Sequence, residues 1–438
     1  MASAIERGKA GTGAVLALSA IGKQDTFLTG TEKTFFKENV EKHTNFATTF
    51  TSHIINTKDE VSWPFGKTIS FKIDPKESAD ILTNAFLKCS LPKPHESSNG
   101  YSPYVGITMI KQLDFKINGE IVDTITDDWI MFHDELFHNN SNRRSFAELT
   151  GGENPVIDEE VDLYVPLYLF FNREKGLMSK HSFLTSDYFY KPYFYLCACL
   201  NNDLEIEITF NDVPYFSNVS NQSNVYLSNV NLVTQEYYLT DKERSYLQLN
   251  KQYTIINTIQ SGSPFVIPKN TTDIVTNLNS TLPVKSFHWA FKDVRFDDAT
   301  SSTYFTNRHN YSFMENTEPN KEYEHQITDN VKFLIEGTHD LGFISEDSNN
   351  FYKYVQAYNH HFNTPRRNMY TLSFGFDPKN PLPTGSVNFS SLTSSKTKVN
   401  LKINSDTNVQ SNSYNMYVYY FGYKIIQYEH GFASVIFS

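Results

Sequence analysis

Cysteine is nearly absent from the sequence, since 438 residues contain only Cys89, Cys197 and Cys199. An odd and sparse set of this kind does not form a disulfide framework, and it suits synthesis in a reducing compartment. Cys197 and Cys199 alternate along an apparent strand, so both thiols are expected on the same side. We interpret them as buried core thiols rather than as a metal or redox pair.

Long apolar runs and clusters of positive charge are also missing. No stretch approaches the roughly 18 apolar residues that a membrane-spanning helix needs. The apolar run at residues 14–21 is short and no clean signal cleavage site follows it, so we interpret residues 1–25 as an N-terminal arm. The net charge is −11, and the basic doublets Arg143-Arg144 and Arg366-Arg367 stand alone, which argues against direct binding of nucleic acid.

Signatures of catalysis are scarce as well. The sequence has no Gly-x-Ser-x-Gly motif, and the glycines of residues 8–13 lack the order of a phosphate-binding loop. The histidines show no His-x-His pair, and His360 and His361 would point to opposite faces of a strand. We therefore predict no catalytic residue, no cofactor and no metal ligand, and we expect that the chain is not an enzyme.

Aromatic residues, in contrast, are abundant. They make up 15% of the chain whereas charged residues make up only 20%, a balance that favours pleated sheet over helix. Residues 68–73, 205–210 and 398–403 alternate apolar and polar side chains, as half-buried strands do. Asn118-Gly119 between two such runs predicts a hairpin with a type I′ turn.

Two segments have helical patterns. Residues 127–138 begin with acidic capping residues and place Trp129, Phe132 and Leu136 on one face. Residues 241–249 lie near the middle of the chain and are predicted to connect its two halves.

Short motifs of the first half return in the second at a nearly constant offset of about half the chain. Phe115-Lys-Ile-Asn-Gly119 returns as Phe333-Leu-Ile-Glu-Gly337, and Leu184-Thr-Ser186 as Leu392-Thr-Ser394. This repetition predicts two copies of one all-β unit. Length alone does not separate a jelly roll from an immunoglobulin-like sandwich, but the long polar loops at residues 139–162 and 297–330 favour the jelly roll.

The predicted architecture is therefore all-β, with two tandem eight-stranded jelly rolls and few short helices. Its parts are an N-terminal arm (1–25), a first jelly roll (26–239), a helical connector (240–251) and a second jelly roll (252–438).

Further motifs follow one another from about residue 24 to residue 426. They are Gln24-Asp25 with Thr34-Phe-Phe-Lys37 and His43-Thr-Asn-Phe-Ala47, Asp128-Trp129 with Asp134-Glu-Leu-Phe137, Tyr164-Val-Pro-Leu167 with Phe170-Phe-Asn172, Glu243-Arg244, Pro283 to Trp289, Tyr352 with Val355-Gln-Ala-Tyr358, and Leu372 to Leu392. In this order they resemble the major capsid proteins of the nucleocytoplasmic large DNA viruses, which are double jelly-roll coat proteins.

The resemblance implies a structural subunit located in the virion and assembled in the host cell cytoplasm. It implies a homotrimer that forms a pseudo-hexameric capsomer of an icosahedral shell, because three chains supply six similar barrels. The implied partners are neighbouring capsomers and minor capsid proteins, with an internal viral membrane nearby and without direct contact to the genome.

Some alternatives stay open. The C-terminal tail keeps only Gly431 of the family's Gly-rich ending, which leaves room for a capsid paralogue acting as a minor coat protein. Tandem jelly rolls also occur in two-domain cupin-like enzymes, and the aromatics at residues 188–190 and 193–195 could serve a carbohydrate-binding protein. Asn139 and Asn310 are candidate glycosylation residues, because each begins a sequon in a predicted long loop.

Overall fold

Segments with period-two alternation in the sequence form the strands of two pairs of antiparallel sheets in a computed structural model of the chain. The structure describes residues 43–54, 65–94, 100–138, 140–157, 159–173, 177–179, 188–314, 326–335, 339–341 and 348–436. The predicted N-terminal arm and the motifs between residues 24 and 37 lie outside the described residues.

Strands dominate both halves of the chain, and most helices are short. The strands of the first half are β1 (Ala47–Ile54), β2 (Thr68–Ile73), β3 (Ile81–Leu91), β4 (Gly100–Tyr101), β5 (Ile110–Ile117), β6 (Glu120–Thr126), β7 (Val156–Ile157), β8 (Val161–Pro166), β9 (Leu177–Ser179), β10 (Tyr188–Tyr190), β11 (Phe194–Tyr195), β12 (Leu204–Phe210) and β13 (Ser228–Tyr238). Those of the second half are β14 (Gln252–Ser261), β15 (Phe265–Ile267), β16 (Asp273–Asn277), β17 (Pro283–Asp293), β18 (Thr328–Ile335), β19 (His339–Leu341), β20 (Met369–Ser373), β21 (Val387–Asn388), β22 (Lys398–Ile403), β23 (Tyr414–Glu429) and β24 (Phe432–Ile436). The α-helices are α1 (Val105–Thr108), α2 (Asp127–Phe137), α3 (Asn140–Thr150), α4 (Phe170–Arg173), α5 (Val213–Phe216), α6 (Asp241–Leu249), α7 (Val294–Asp297), α8 (Ser348–Asn350), α9 (Gln356–His360) and α10 (Thr407–Gln410).

Tighter and wider helical turns occur between these elements. The 3₁₀ turns are Leu196–Ala198, Gln222–Asn224, Phe305–Asn307 and Phe389–Ser391, and a π-helix spans Phe351–Val355. No helix among the described residues is both long enough and apolar enough to cross a membrane.

The first half is one jelly roll. One of its sheets has the strand order β1, β13, β3, β8, with β11 pairing with the start of β3, and the other has the order β2, β12, β5, β6. Strand β2 buries Ile69, Phe71 and Ile73 and exposes the residues between them, because only one face of the strand meets the core. Two four-stranded antiparallel sheets joined by Greek-key connections are the eight-stranded jelly roll.

The second half repeats this topology. Its sheets have the orders β14, β23, β17, β20 and β16, β22, β18, β19. The register repeats too, because the backbone N–H of Leu167 after β8 donates to the Ala85 carbonyl at 3.1 Å, and the N–H of Phe374 after β20 donates to the Lys285 carbonyl at 2.9 Å. The prediction of two tandem eight-stranded jelly rolls is confirmed, whereas the predicted domain boundaries stay a prediction.

Both predicted helices are present, with one change in the capping. Helix α6 has the predicted bounds, and helix α2 begins at the predicted Asp127. Its N-cap is Thr126, whose hydroxyl accepts from the backbone N–H of Trp129 at 3.4 Å, so Asp127 and Asp128 lie in the first turn rather than at the cap.

Three local predictions were wrong. Cys197 and Cys199 are buried as expected, but Cys197 lies in a 3₁₀ turn rather than on a strand. Helix α3 occupies much of the predicted loop 139–162, whereas the described residues of the predicted loop 297–330 contain only the short 3₁₀ turn Phe305–Asn307 between the end of α7 at Asp297 and the start of β18 at Thr328. His360 ends helix α9 and His361 follows it, so neither lies on a strand.

The divergent C-terminal tail forms a hairpin. Strand β24 pairs with the end of β23 around His430 and Gly431, which both have positive φ (55° and 81°). The side chain of Asn202 from the first half bonds the Ala433 backbone twice, accepting from its N–H at 2.7 Å and donating to its carbonyl at 3.1 Å. These two hydrogen bonds therefore hold the end of the second roll against the first roll.

The Asn118-Gly119 hairpin offers a test of turn geometry. Gly119 has a φ of +81°, and a Cβ placed there would meet nothing within 4 Å. We expect Gly119→Val to lower the free energy of unfolding by about 1–3 kcal/mol, because a β-branched residue is strained at positive φ. Thermal unfolding measures the change.

The matched control is Gly262→Val. Gly262 has equally open surroundings but no positive φ, so valine is expected to be tolerated there. Equal melting temperatures for the two variants would contradict the turn assignment.

Candidate functional site

The two candidate glycosylation residues differ in what the structure shows of them. Asn139 lies outside the described residues. Asn310 is only 1% exposed, and its Nδ2 donates to Asn307 Oδ1 at 3.0 Å and to the Met314 carbonyl at 2.8 Å. Its Oδ1 accepts from the backbone N–H of Ser312 at 3.0 Å. A glycan on Nδ2 would displace these bonds, so the geometry does not favour glycosylation of the folded chain at Asn310.

Within the aromatic cluster at residues 193–195, Phe194 belongs to the core, whereas Tyr193 and Tyr195 are half-buried. Phe194 is fully buried, and its ring centroid lies 5.2 Å from that of Phe115 and 5.8 Å from that of Tyr428. These contacts give Phe194 a packing role, which leaves it no face for stacking a sugar. The side chains of residues 188–190 lie outside the described part of the structure.

Several residues that the sequence analysis singled out meet at helix α2, which lies between the two jelly rolls. Strand β17 is buried on both faces: Phe287, Trp289 and Phe291 point into the core of the second roll, whereas His288 and Lys292 point towards α2. The strand has no long apolar run, because Lys285, Ser286, His288, Lys292 and Asp293 interrupt its apolar residues, so its burial on both faces is not evident from the sequence.

Aromatic rings fill the contact. The Trp129 ring centroid lies 5.4 Å from His288, 5.5 Å from Tyr419 and 5.4 Å from Phe421. Phe132 packs on Tyr419 from the same helix face, at 5.3 Å. The face predicted from the spacing of Trp129 and Phe132 therefore packs on the outer surface of the second roll's sheet. Burial of such rings contributes roughly 1.5–3 kcal/mol each.

A buried ion pair crosses the same contact. The ammonium of Lys292 lies 2.8 Å from Asp128 Oδ2 and 3.4 Å from Asp297 Oδ1. The hydroxyl of Tyr311 donates to Asp128 Oδ1 at 2.5 Å, and that of Tyr417 donates to Asp297. Although burial opposes ionisation, Lys292 holds the pKa of Asp128 well below its usual range, and Asp128 raises the pKa of Lys292. Both groups are therefore charged.

Asp127, Asp128 and His309 bring three ligand-type atoms within 4.8 Å of one another. They do not suit a divalent cation, because the ammonium of Lys292 already lies against Asp128 and would repel it. Burial and the charge of Asp128 raise the pKa of Asp127 well above its usual range, and burial lowers that of His309 to about 4. Near neutral pH the group thus contains the ion pair of Asp128 with Lys292 and a neutral His309.

A second buried ion pair, formed within the first roll by Arg173 and Asp123, lies nearby and hydrogen-bonds to the second roll. Arg173 Nη2 donates to Asp123 Oδ2 at 2.7 Å, and its Nη1 donates to the Asn257 carbonyl on β14 at 2.9 Å. Thr258 Oγ1 donates to the other Asp123 oxygen at 3.0 Å. All of these groups are buried, so each hydrogen bond satisfies a polar atom that water cannot reach.

The isolated arginine doublets belong to a third cluster, around the buried Glu135 of helix α2. Arg143 Nη2 donates to Glu135 Oε2 at 2.7 Å, and Arg367 Nη1 donates to Oε1 at 2.9 Å. The backbone N–H of Arg366 donates to Oε2 at 2.7 Å. Three of the four doublet arginines therefore contact one internal carboxylate.

The arrangement can hold two sheets rigidly together, and nothing in it resembles a nucleophile and base pair. Sequence reasoning missed Asp128, Glu135 and Lys292 as interface residues. The available signal was the pair of lysines in β17, Lys285 and Lys292, which flank the aromatic residues of the strand.

Comparison with protein families gives two matches. Residues 34–248 match the model described as "Major capsid protein N-terminus", and residues 243–434 match "Large eukaryotic DNA virus major capsid protein". The two matches meet within helix α6. The chain belongs to this major capsid protein family.

Individual capsid proteins are similar over part of their length. Capsid protein 1 of Acanthamoeba polyphaga mimivirus is 25% identical over 323 residues, 67% of this chain and 51% of that protein. The major capsid protein of Paramecium bursaria Chlorella virus 1 is 27% identical over 283 residues, 63% of this chain and 60% of that protein. The chain thus spans between half and two thirds of the length of these relatives.

Solved capsid structures share the fold. The quasi-atomic model of the PBCV-1 capsid has a TM-score of 0.74 at 19% identity, covering 92% of this chain and 100% of that one. The Faustovirus major capsid protein has a TM-score of 0.67 at 11% identity, covering 95% and 96%. The double jelly roll of the capsid family is therefore preserved where little sequence identity remains.

The ion pair of the capsid chain can be tested with Lys292→Met. Removing the ammonium leaves Asp128 buried and without its counter-ion, so we expect the free energy of unfolding to fall by about 3–5 kcal/mol. Chemical denaturation measures this change. The double variant Lys292→Met/Asp128→Asn removes both charges and should recover a large part of the loss. If the double variant is no more stable than the single one, an unpaired charge is not the cause.

Buried histidines predict a loss of stability in acid. Burial lowers the pKa of His288 to about 3 and that of His309 to about 4, and it holds that of His361 well below the usual value. Below pH 6.5 the unfolded chain binds protons at these residues whereas the folded chain does not. Stability is therefore greatest above pH 6.5 and should fall as pH decreases towards 4. The raised pKa of Asp127 acts in the opposite direction and offsets part of this loss.

Denaturation midpoints between pH 7 and pH 4.5 check the trend. His288→Gln should make the dependence shallower, because glutamine does not titrate. His430→Gln, at a side chain that is 83% exposed, serves as the control and should leave the dependence unchanged. A pH dependence that is the same in all three proteins would contradict the assignment.

Proposed function

We propose that the chain is a structural, non-catalytic subunit of an icosahedral capsid, and that three copies assemble into a pseudo-hexameric capsomer. The observation that carries the proposal is the repeated strand order of the two rolls, with the same register in both. Two similar barrels per chain give a threefold assembly a nearly sixfold outline. Such a unit can tile a shell from identical chains.

The contact between the rolls supports this role. Helix α2 is buried between them, the Asp128–Lys292 ion pair crosses the same boundary, and the Arg173–Asp123 pair hydrogen-bonds across it to Asn257 and Thr258. A pair of barrels that is fastened by buried polar networks keeps one relative orientation, since breaking any of them leaves a buried charge unpaired. A shell subunit requires a fixed relative orientation of its two barrels, and it does not require a ligand-binding pocket.

The proposed surroundings follow from the family and from the charge. The subunit would reside in the virion after assembly in the host cell cytoplasm, contacting neighbouring capsomers and minor capsid proteins. Its net charge of −11, and the use of Arg143, Arg366 and Arg367 around Glu135, support a position that does not touch the genome directly. An internal viral membrane would then lie between the shell and the nucleic acid.

The oligomeric state is the direct test. In solution we expect a homotrimer with three times the 50.4 kDa mass of one chain, held by interfaces larger than the roughly 1,600 Å² of a standard protein contact. Light scattering coupled to size-exclusion chromatography measures the mass. A single 50.4 kDa species at micromolar concentration would count against the proposal.

A further inference from the structure

Because the chain contains two similar rolls, each roll has an equivalent outer sheet surface. In the second roll, Ser286 and His288 of β17 pair with Ser373 and Thr371 of β20. Their partners from the first roll are Phe86 and Lys88 of β3, which pair with Pro166 and Tyr164 of β8. The equivalence follows from the shared register, in which the carbonyls of Ala85 and Lys285 accept the matching bonds. On both rolls these residues form the outer face of the sheet, away from the barrel interior.

The two copies of this face have different surroundings. On the second roll it is covered by Trp129 and Phe137 of helix α2, and Ser286 and His288 are fully buried. On the first roll the face is only partly covered. We name its apolar part the first-roll sheet face; it consists of Phe50, Phe86, Tyr164 and Val233.

Exposure and pairing define this face. Phe50 is 65% exposed and Tyr164 is 42% exposed. Phe86 pairs directly with both Val233 and Pro166, whereas the more exposed Phe50 pairs with Gln235 and Tyr164 pairs with Lys88. The four residues thus lie on four neighbouring strands of one outer sheet surface, a placement that suits a contact site.

The helical segment that covers the sheet is also present twice. Helix α2 follows β6 and precedes β8, and the segment from α8 through the π-helix to α9 follows β19 and precedes β20. In α2 the residues from Asp127 to Leu136 are all buried. The second segment buries one side only, where Tyr352 packs on Trp289 at 5.1 Å and on Phe333 at 5.5 Å.

The other side of that segment is apolar and exposed. Tyr354 is 39% exposed, Val355 44%, Tyr358 83% and the following Phe362 51%. We name these four residues the second-roll helix face. Because Tyr352 packs against its own roll, the four exposed side chains on the other side of the segment are accessible to another molecule. Tyrosines of this kind, with a large apolar body and a polar tip, are enriched at protein interfaces.

We propose that the second-roll helix face of one chain covers the first-roll sheet face of a second copy, and so repeats between chains the contact that α2 makes within one chain. This inference rests on the proposed capsomer and names its contact. Each chain then offers a different surface on each side, so the contact is head-to-tail and generates a closed ring when the rotation permits. Three chains with two contacts each would leave neither face exposed.

A substitution on the helix face tests the proposal. Tyr358→Asp places a charge in the centre of the proposed contact, and it should convert the trimer into monomer or weaken it at least tenfold. The control is Tyr246→Asp on helix α6, at a tyrosine that is 63% exposed but lies on neither face; it should remain trimeric. Circular dichroism checks that each variant is folded, and Val355→Asp provides a second variant on the same face.

A mixing experiment tests the head-to-tail arrangement. Tyr164→Asp removes the sheet face and keeps the helix face, whereas Tyr358→Asp does the reverse. Each variant alone should be monomeric, but the mixture retains one intact pair of faces. Sedimentation should therefore detect a complex of twice 50.4 kDa that does not grow to three chains.

The outcomes separate this inference from the proposed function. A trimeric Tyr358→Asp protein would overturn the contact while leaving the capsomer intact, and so would a mixture that stays monomeric. A wild-type protein that is itself monomeric would overturn the proposed trimer and the contact with it.

Discussion

The burial of helix α2 between the two barrels is the contact on which the rest of the structure depends. Its aromatic face covers the outer surface of the β17 sheet, and its acidic residues Asp128 and Glu135 meet cations of the second roll. A sheet that would otherwise expose one face to water becomes buried on both. This is why Lys292 and His288 of β17 are fully buried, as is Lys285 of the same strand.

Burying charge in this way is costly unless every group finds a partner. The clusters at Asp128, Asp123 and Glu135 satisfy this requirement with lysine or arginine and with hydroxyl or backbone groups. The same requirement makes the arrangement specific, because a shifted register between the rolls would separate Asp128 from Lys292 and Glu135 from Arg367. We infer that these networks define the relative position of the rolls, whereas the aromatic rings supply most of the stabilisation.

A duplicated barrel lets a capsid protein use the same packing of a helical segment on a sheet more than once. Within the chain, the helical segment of the first roll closes the sheet of the second. The equivalent segment of the second roll has its apolar side exposed at Tyr358, and the equivalent sheet of the first roll has Phe50 and Tyr164 exposed. One chain thus exposes both of the faces that we propose to meet between two copies, and they are equivalent to the helix and the sheet that pack together inside the chain.

The sequence by itself determined the strands at residues 68–73, 205–210 and 398–403, the Asn118-Gly119 hairpin and helices α2 and α6, because these depend on periodicity and turn chemistry within a few neighbouring residues. The duplication was visible as short motifs that recur in the same order about half a chain apart. It also indicated the family, through motifs in a fixed order. Only the tertiary structure decided which residues pair across the chain. Asp128 and Lys292 are 164 positions apart, and no local pattern connects them. The turn at Cys197, helix α3 and the burial of Asn310 were missed for the same reason, since distant packing overrides local preference. Periodicity shows which face of an element is apolar, but only the assembled fold shows what lies against that face.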